Sequence, residues 1–268
     1  MKITILLLSA FMMGTFQASN TPREKALESL ANAERAFSAT SEAKGLHQAF
    51  VDHLAEDGLV FAPNPTNGRK LHAAAPPSKA YLSWYPAYAD ISSSLDWGYT
   101  TGPYQLKPSA EDDKVVGAGF YLSVWRKQPD GQWKVAIDMG NSFPPDLLKE
   151  EAYQPTPASK KTKKVKGTKD DLLSRDVQAV QPYFAETLIY RHGEYPYKYK
   201  DVVIEPASNV VYTNLGHELS PAADMAYTYG SYIQSTSKGE VAGHYLKVWK
   251  VLNGEWKLVA HNLVPDKK

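Results

Sequence analysis

The chain has 268 residues, enough for one large domain or two small ones, and two is the better starting expectation. Lys+Arg 30 against Asp+Glu 29 leaves a net charge of +1, so no global field would recruit nucleic acid or an anionic membrane as a partner. With 43% hydrophobic and 22% charged residues the chain can bury a core, and the absence of cysteine excludes disulfides, thiolate metal sites and cysteine nucleophiles.

Residues 1–18 open with Met1-Lys2, run through an apolar stretch from Ile3 to Met13 and reach small or polar residues at Gly14, Thr15 and Ala18. This is the layout of a signal peptide with cleavage near Ala18, because the apolar run is short of the roughly 20 residues that span a bilayer. The expected mature protein is periplasmic or secreted, with no integral membrane association. Thr21-Pro22-Arg23-Glu24 predicts a helix start with a capping box, and Leu27, Leu30, Ala33 and Phe37 then recur at helical spacing. After Lys44-Gly45, the residues Leu46, Ala49, Phe50 and Leu54 predict a second short helix, followed by a strand at Leu59-Val60-Phe61. From Ser94 the pattern changes to long β-like runs, Leu95 to Leu106, Val115 to Trp125 and Trp133 to Asp138. Helices first and a meander of strands later is an α+β signature.

Residues 144–168 hold Pro144, Pro145, Pro155 and Pro157 and then a lysine run from Lys160 to Lys166, and are expected to form a solvated linker. A basic docking site for an anionic partner is the alternative reading of that run. Beyond it the earlier order returns. Leu173, Val177, Val180 and Phe184 are helically spaced, and Thr187 to Tyr190 resembles the strand from Gly58 to Phe61. The run Asp96 to Tyr104 corresponds to Asp224 to Tyr232, Gly119 to Trp125 to Gly243 to Trp249, and Asp130 to Val135 to Asn253 to Leu258. The chain therefore reads as a tandem repeat, with domains over 19–143 and 169–268.

The residues Leu82-Ser83-Trp84-Tyr85-Pro86, the run from Asp96 to Tyr104, and Val124-Trp125 through Trp133-Lys134-Val135 to Asp138 resemble the NTF2-like superfamily and, within it, the SnoaL-like group also called DUF4440. The resemblance is strong over residues 22–143 and weaker over 169–265. It implies two tandem cones, each with helices packed on a strongly curved antiparallel sheet and a pocket at the open end. Relatives include ketosteroid isomerases, polyketide cyclases, dehydratases and members that only bind a ligand or partner, so the fold alone fixes no activity.

Strand alternation puts Phe120, Leu122 and Val124 on one face of their strand and Tyr121, Ser123 and Trp125 on the other, with His244, Leu246 and Val248 opposing Tyr245, Lys247 and Trp249 in the second copy. The mainly apolar face is expected to look into the cone, which would place His244 on its wall as either a core histidine or a pocket group. Asp138 and His261 are matched positions expected at the end of the last strand, and are the candidate general bases. Trp84, Trp97, Tyr99, Tyr121, Tyr227 and Tyr245 are candidates to line a cavity for a flat or cyclic apolar ligand. Four histidines, His192, His217, His244 and His261, lie in the second copy without a close pair, so no metal site is expected. No phosphate loop, dinucleotide fingerprint or Gly-x-Ser-x-Gly elbow is present, and no cofactor is expected. The leading expectation is an exported, non-catalytic protein that binds a small apolar or aromatic molecule or a protein partner, with sheet packing within the chain or between two copies. The alternative is a cofactor-free lyase, isomerase or cyclase with Asp138 or His261 as base and Tyr121 or Tyr245 polarising a carbonyl.

Overall fold

A computed structural model describes residues 21–157, 166–178, 183–201 and 209–266. The expected signal segment, most of the lysine run and Val180 lie outside the described residues.

The first unit opens with α1 (Pro22–Lys44), α2 (Leu46–His53), β1 (Leu54–Phe61), β2 (Pro65–Asn67) and α3 (Gly68–Ala74). It continues through β3 (Tyr81–Trp84), β4 (Tyr88–Ile91), β5 (Trp97–Lys107), β6 (Gly117–Lys127), β7 (Trp133–Phe143) and β8 (Gln154–Pro155). The second unit has α4 (Lys169–Val177), β9 (Tyr183–Arg191), β10 (Tyr197–Lys198), β11 (Val210–Leu219), β12 (Met225–Thr236), β13 (Gly239–Leu252) and β14 (Glu255–Pro265). The capping box at α1 is formed: Thr21 Oγ1 accepts from the Glu24 amide at 3.2 Å and Glu24 Oε2 accepts from the Thr21 amide at 2.6 Å. The helix stops at Gly45, whose φ of +88° turns the chain into α2 and is strained for any residue with a Cβ.

The fold is α+β, built on two sheets. The first runs β2-β1-β7-β6-β5-β4-β8, with β3 also on β5, and the second runs β10-β9-β14-β13-β12-β11. The four-strand series β1-β7-β6-β5 recurs as β9-β14-β13-β12, and even the register repeats: Ser123 faces Asp138 where Lys247 faces His261, and Tyr104 faces Gly119 where Tyr232 faces Gly243. The sheets are mixed and not purely antiparallel as expected, since β1 runs parallel to β7 and β9 parallel to β14. Those partners are far apart in sequence, so no hairpin dictates their direction.

Two further differences from the sequence reading matter. Phe184, expected to end a helix, lies in β9, where pairing with β14 sets the conformation. Part of the expected linker is docked: β8 pairs with the outer edge of β4, with Gln154 N donating to Ala87 O at 2.8 Å and Thr156 N to Ala89 O at 3.0 Å. An open strand edge offers unpaired carbonyls, and this segment covers them.

The central strands of each sheet are buried on both faces. Leu27, Leu30 and Phe37 of α1 pack on Trp84, Tyr121 and Trp125, while α4 sets Leu172 against Trp249 and Trp256. The opposite faces meet each other: Trp97, Phe120, Leu122 and Val124 share one core with Tyr227, Leu246 and Val248. The expected assignment of faces is therefore reversed, and Tyr121, Ser123 and Trp125 look toward the helices. Apolarity marks the contact between sheets; the ring-bearing face with its polar tips is the one that can answer polar groups on a helix.

Candidate functional site

Under α1 and α2 the first sheet leaves a cavity of about 290 Å³. Phe37, Phe50 and Leu82 make its apolar wall, and Tyr104, Tyr121 and Asp138 bring polar groups into it. Tyr104 can lie across its neighbour strand because Gly119 faces it; a Cβ at Gly119 would stand 2.6 Å from the tyrosine ring and would run into Asn141 O.

Glu34 sits on the buried stripe of α1, one turn from Leu30 and Phe37, and is fully buried. Its Oε1 accepts from Trp84 Nε1 at 2.5 Å, and Oε2 accepts from Thr100 Oγ1 at 2.5 Å and Trp125 Nε1 at 3.0 Å. These donors favour the carboxylate, yet burial outweighs them and pushes its pKa up to about 7. Asp138 is half-buried, with Oδ1 accepting from Ser123 Oγ at 2.6 Å. Burial in the apolar surroundings raises it to about 6. The Tyr121 hydroxyl is buried and makes no well-formed hydrogen bond; its hydrogen-bonding neighbour is Thr100, which donates to Glu34 and accepts from Trp125. Burial, then Glu34 and Asp138, hold this phenol well above its ordinary pKa, so it is a donor at every physiological pH.

The second unit carries the same frame with different contents. Asp176 takes the place of Glu34, accepting from Thr228 Oγ1 at 2.7 Å, while Trp249 Nε1 donates to Thr228 at 2.8 Å as Trp125 does to Thr100 at 2.9 Å. Here Lys247 stands where the first unit has Ser123. Its Nζ donates to Asp176 O at 2.6 Å, lies 3.3 Å from Asp176 Oδ1 and sits 3.7 Å over the Tyr212 ring. Tyr245 Oη donates to Asp176 Oδ2 at 2.6 Å. Burial lowers Lys247 to about 8, and burial with the nearby Lys247 charge pushes His261 well below the usual histidine range. Among the described residues, the space beside Asp176 in the second cone is thus taken by a lysine and its aromatic bed.

The structure brings Trp84, Tyr121 and Asp138 together in the first cavity. Asp138 lies in mid-strand of β7, and His261 in mid-strand of β14, not at strand ends, because β6 and β13 continue to pair beyond them. Trp97, Tyr99 and Tyr227 do not line a cone: they lie between the sheets, where Trp97 stacks on Tyr227 at 6.3 Å and Tyr99 lies 5.8 Å from Tyr88. Tyr245 and His261 lie in the second cone. His244 is not on the cone wall but on the opposite face, its Nδ1 3.2 Å from Asp266 Oδ1. Glu34, Asp176, Lys247 and Tyr104 do not stand out in the sequence; the available signal is an acid in the apolar stripe of each helix, four residues after Leu30 and Leu172. Among the described residues no His, Asp and Glu group has the arrangement of a metal site, and no helix is long and apolar enough to cross a membrane.

No protein-family model and no curated protein matches the chain. Among solved structures it is similar to a protein of unknown function with a cystatin-like fold from Nostoc punctiforme, at 16% identity and TM-score 0.35 over 47% of this chain and 95% of that one. An NTF-2 like protein of unknown function from Shewanella oneidensis aligns at 15% identity and TM-score 0.35, over 42% of this chain and 96% of that one. A ketosteroid isomerase-like protein from Erwinia carotovora atroseptica aligns at 15% identity and TM-score 0.34, over 43% and 95%. Likeness at this level carries no information on activity.

Proposed function

We propose that the first unit is an NTF2-like acid–base site: it takes a small, largely apolar carbonyl compound into its cavity, where Asp138 removes a proton alpha to the carbonyl and Tyr121 hydrogen-bonds the oxygen. The observation that carries this reading is the pairing, in one apolar cavity, of a carboxyl raised to about 6 with a buried phenol that makes no well-formed hydrogen bond. A carboxylate poised near neutrality is a stronger base than one in water and is still largely ionised at pH 7. The enolate oxygen that forms would complete the hydrogen bonding of Tyr121, so that contact strengthens as charge develops. Isomerisation, elimination and cyclisation all share this step. Glu34 is assigned to architecture, since Trp84, Thr100 and Trp125 engage both of its oxygens and Asp176 serves the same Thr and Trp frame in the second unit.

The test is deuterium exchange into the alpha positions of cyclohexanone in heavy water, followed by proton NMR. Wild-type protein is expected to accelerate exchange; Asp138→Asn should lose about 10²- to 10⁴-fold and Tyr121→Phe about 10²-fold, with folding intact. Exchange undiminished in Asp138→Asn removes that residue from the mechanism. Binding without exchange would leave the cavity as a ligand-binding site only.

A further inference from the structure

The first cavity shares part of its lining with a second one. Asp138, Phe50 and Gly140 also line a larger chamber, about 600 Å³, whose far wall is His244, Val264 and Asp266 of the second unit. The repeat shows what that wall would be by default. His244 occupies the position of Phe120, and the rings meet matched partners: Phe120 lies 6.3 Å from Tyr190 in β9, and His244 lies 5.9 Å from Phe61 in β1. A phenylalanine therefore fits this packing position, and the imidazole is a substitution that packing did not require.

The chemistry of that imidazole is set by its neighbour. Asp266 accepts from Nδ1, which places a proton there, and in the neutral imidazole Nε2 is then the acceptor. No hydrogen bond among the described residues engages Nε2. His72, the chamber's other imidazole, is turned to His47, with Nδ1 atoms 2.9 Å apart, and its ring is stacked on Phe50 at 4.3 Å. The remaining wall is mostly apolar, from Val60, Phe61 and Leu71.

We infer that the ligand of the first unit is elongate, that it extends past Asp138 into the chamber between the units, and that it ends in a hydroxyl donated to His244 Nε2. This rests on the cavity reading above. Asp266 is the positioning residue, holding the tautomer that accepts. The second unit then contributes the far end of a composite site.

The test uses the full chain and calorimetric titration with 10-hydroxydecan-2-one and with undecan-2-one, which differ only in a terminal hydroxyl against a methyl. Wild-type protein is expected to prefer the hydroxyl compound by about tenfold. His244→Phe, which copies the residue of the first unit, should abolish the preference while still binding undecan-2-one, and the surface variant Asp266→Asn should reduce it even if His244→Phe folds poorly. Equal affinity for the two compounds in wild-type protein, no binding of either, or a preference that persists in both variants would overturn the inference. Cyclohexanone exchange without binding of the long ketones would sink the composite site and spare the acid–base reading. A His244-dependent preference without exchange would do the reverse.

Discussion

A carboxylate on the buried stripe of a helix must find its solvation inside the protein, and the two units provide it differently. Asp176 has a lysine ammonium 3.3 Å away, whereas Glu34 has only neutral donors and so rises to about 7 from an ordinary 4.5. Its native pKa lies above its unfolded one, so the folded protein holds the extra proton between those values. Its stabilising contribution is complete below about 4.5 and is lost as pH rises through about 7. A shift of this size corresponds to about 3 kcal/mol, and Asp138, raised for the same reason, adds in the same direction. Glu34→Gln removes the titration while keeping an acceptor for Trp84 or Thr100. Urea unfolding at pH 5 and pH 8 is expected to show wild-type protein losing about 3 kcal/mol more than the variant over that interval. Parallel losses in the two proteins would show that Glu34 is not the group titrating.

At the scale of elements, one position on the β6 and β13 strands decides whether a cone is open. Ser123→Lys should carry an ammonium into the first cavity beside Glu34, occupying the space as Lys247 does in the second unit. Cyclohexanone binding and exchange are then expected to vanish while the protein stays folded; retained binding would show that the cavity does not depend on a small residue there. The reverse change, Lys247→Met, leaves Asp176 buried without its cation and is expected to cost about 3 kcal/mol in urea unfolding, with a cost near zero counting against the pair. Both changes turn on residues inside strands whose existence was legible in sequence, since β5 and β6 lie within two residues of their expected runs, β7 starts at its expected residue and runs five residues further, and all three repeat as β12, β13 and β14. Which face those strands turn inward was not legible, because helices bury one side and a second sheet the other, so hydrophobic alternation had no solvent side to report. Asp138 reads as a strand end in sequence; pairing with β6, as far as Phe143 opposite Ala118, shows that the strand continues. The acids on α1 and α4 escape notice for a related reason: periodicity counts apolar positions, and a single polar residue in the stripe reads as noise until its partners are known.

At the scale of the molecule, the sheet-to-sheet contact couples the two units. Trp97 lies on Tyr227, Asn141 Nδ2 donates to Asn262 Oδ1 at 2.9 Å, and Asn262 Nδ2 donates to Met139 O at 2.9 Å. Charged groups surround that core: Arg126 Nη1 lies 3.2 Å from Glu218 Oε2, and Lys250 Nζ reaches Asp90, which also holds Arg23 at 2.6 Å. Either unit alone would present the whole apolar face of its sheet to water, and burying such area is worth about 25 cal/mol per Å². Independence of the halves, which repetition by itself suggests, is therefore not expected. The lysines at 160, 161, 163 and 164 give trypsin a set of cuts in the connecting segment, and cleavage there breaks one covalent link without touching the shared core. The nicked protein is expected to elute as one species at the size of the intact chain and to melt in one transition, the two pieces separating only in denaturant. Trp97→Ala, which removes the ring stacked on Tyr227, should lower that melting temperature and promote separation after nicking. Two pieces that part in native buffer, each folded and monomeric, would show that the units are independent domains and that the chamber between them is not a fixed part of the molecule.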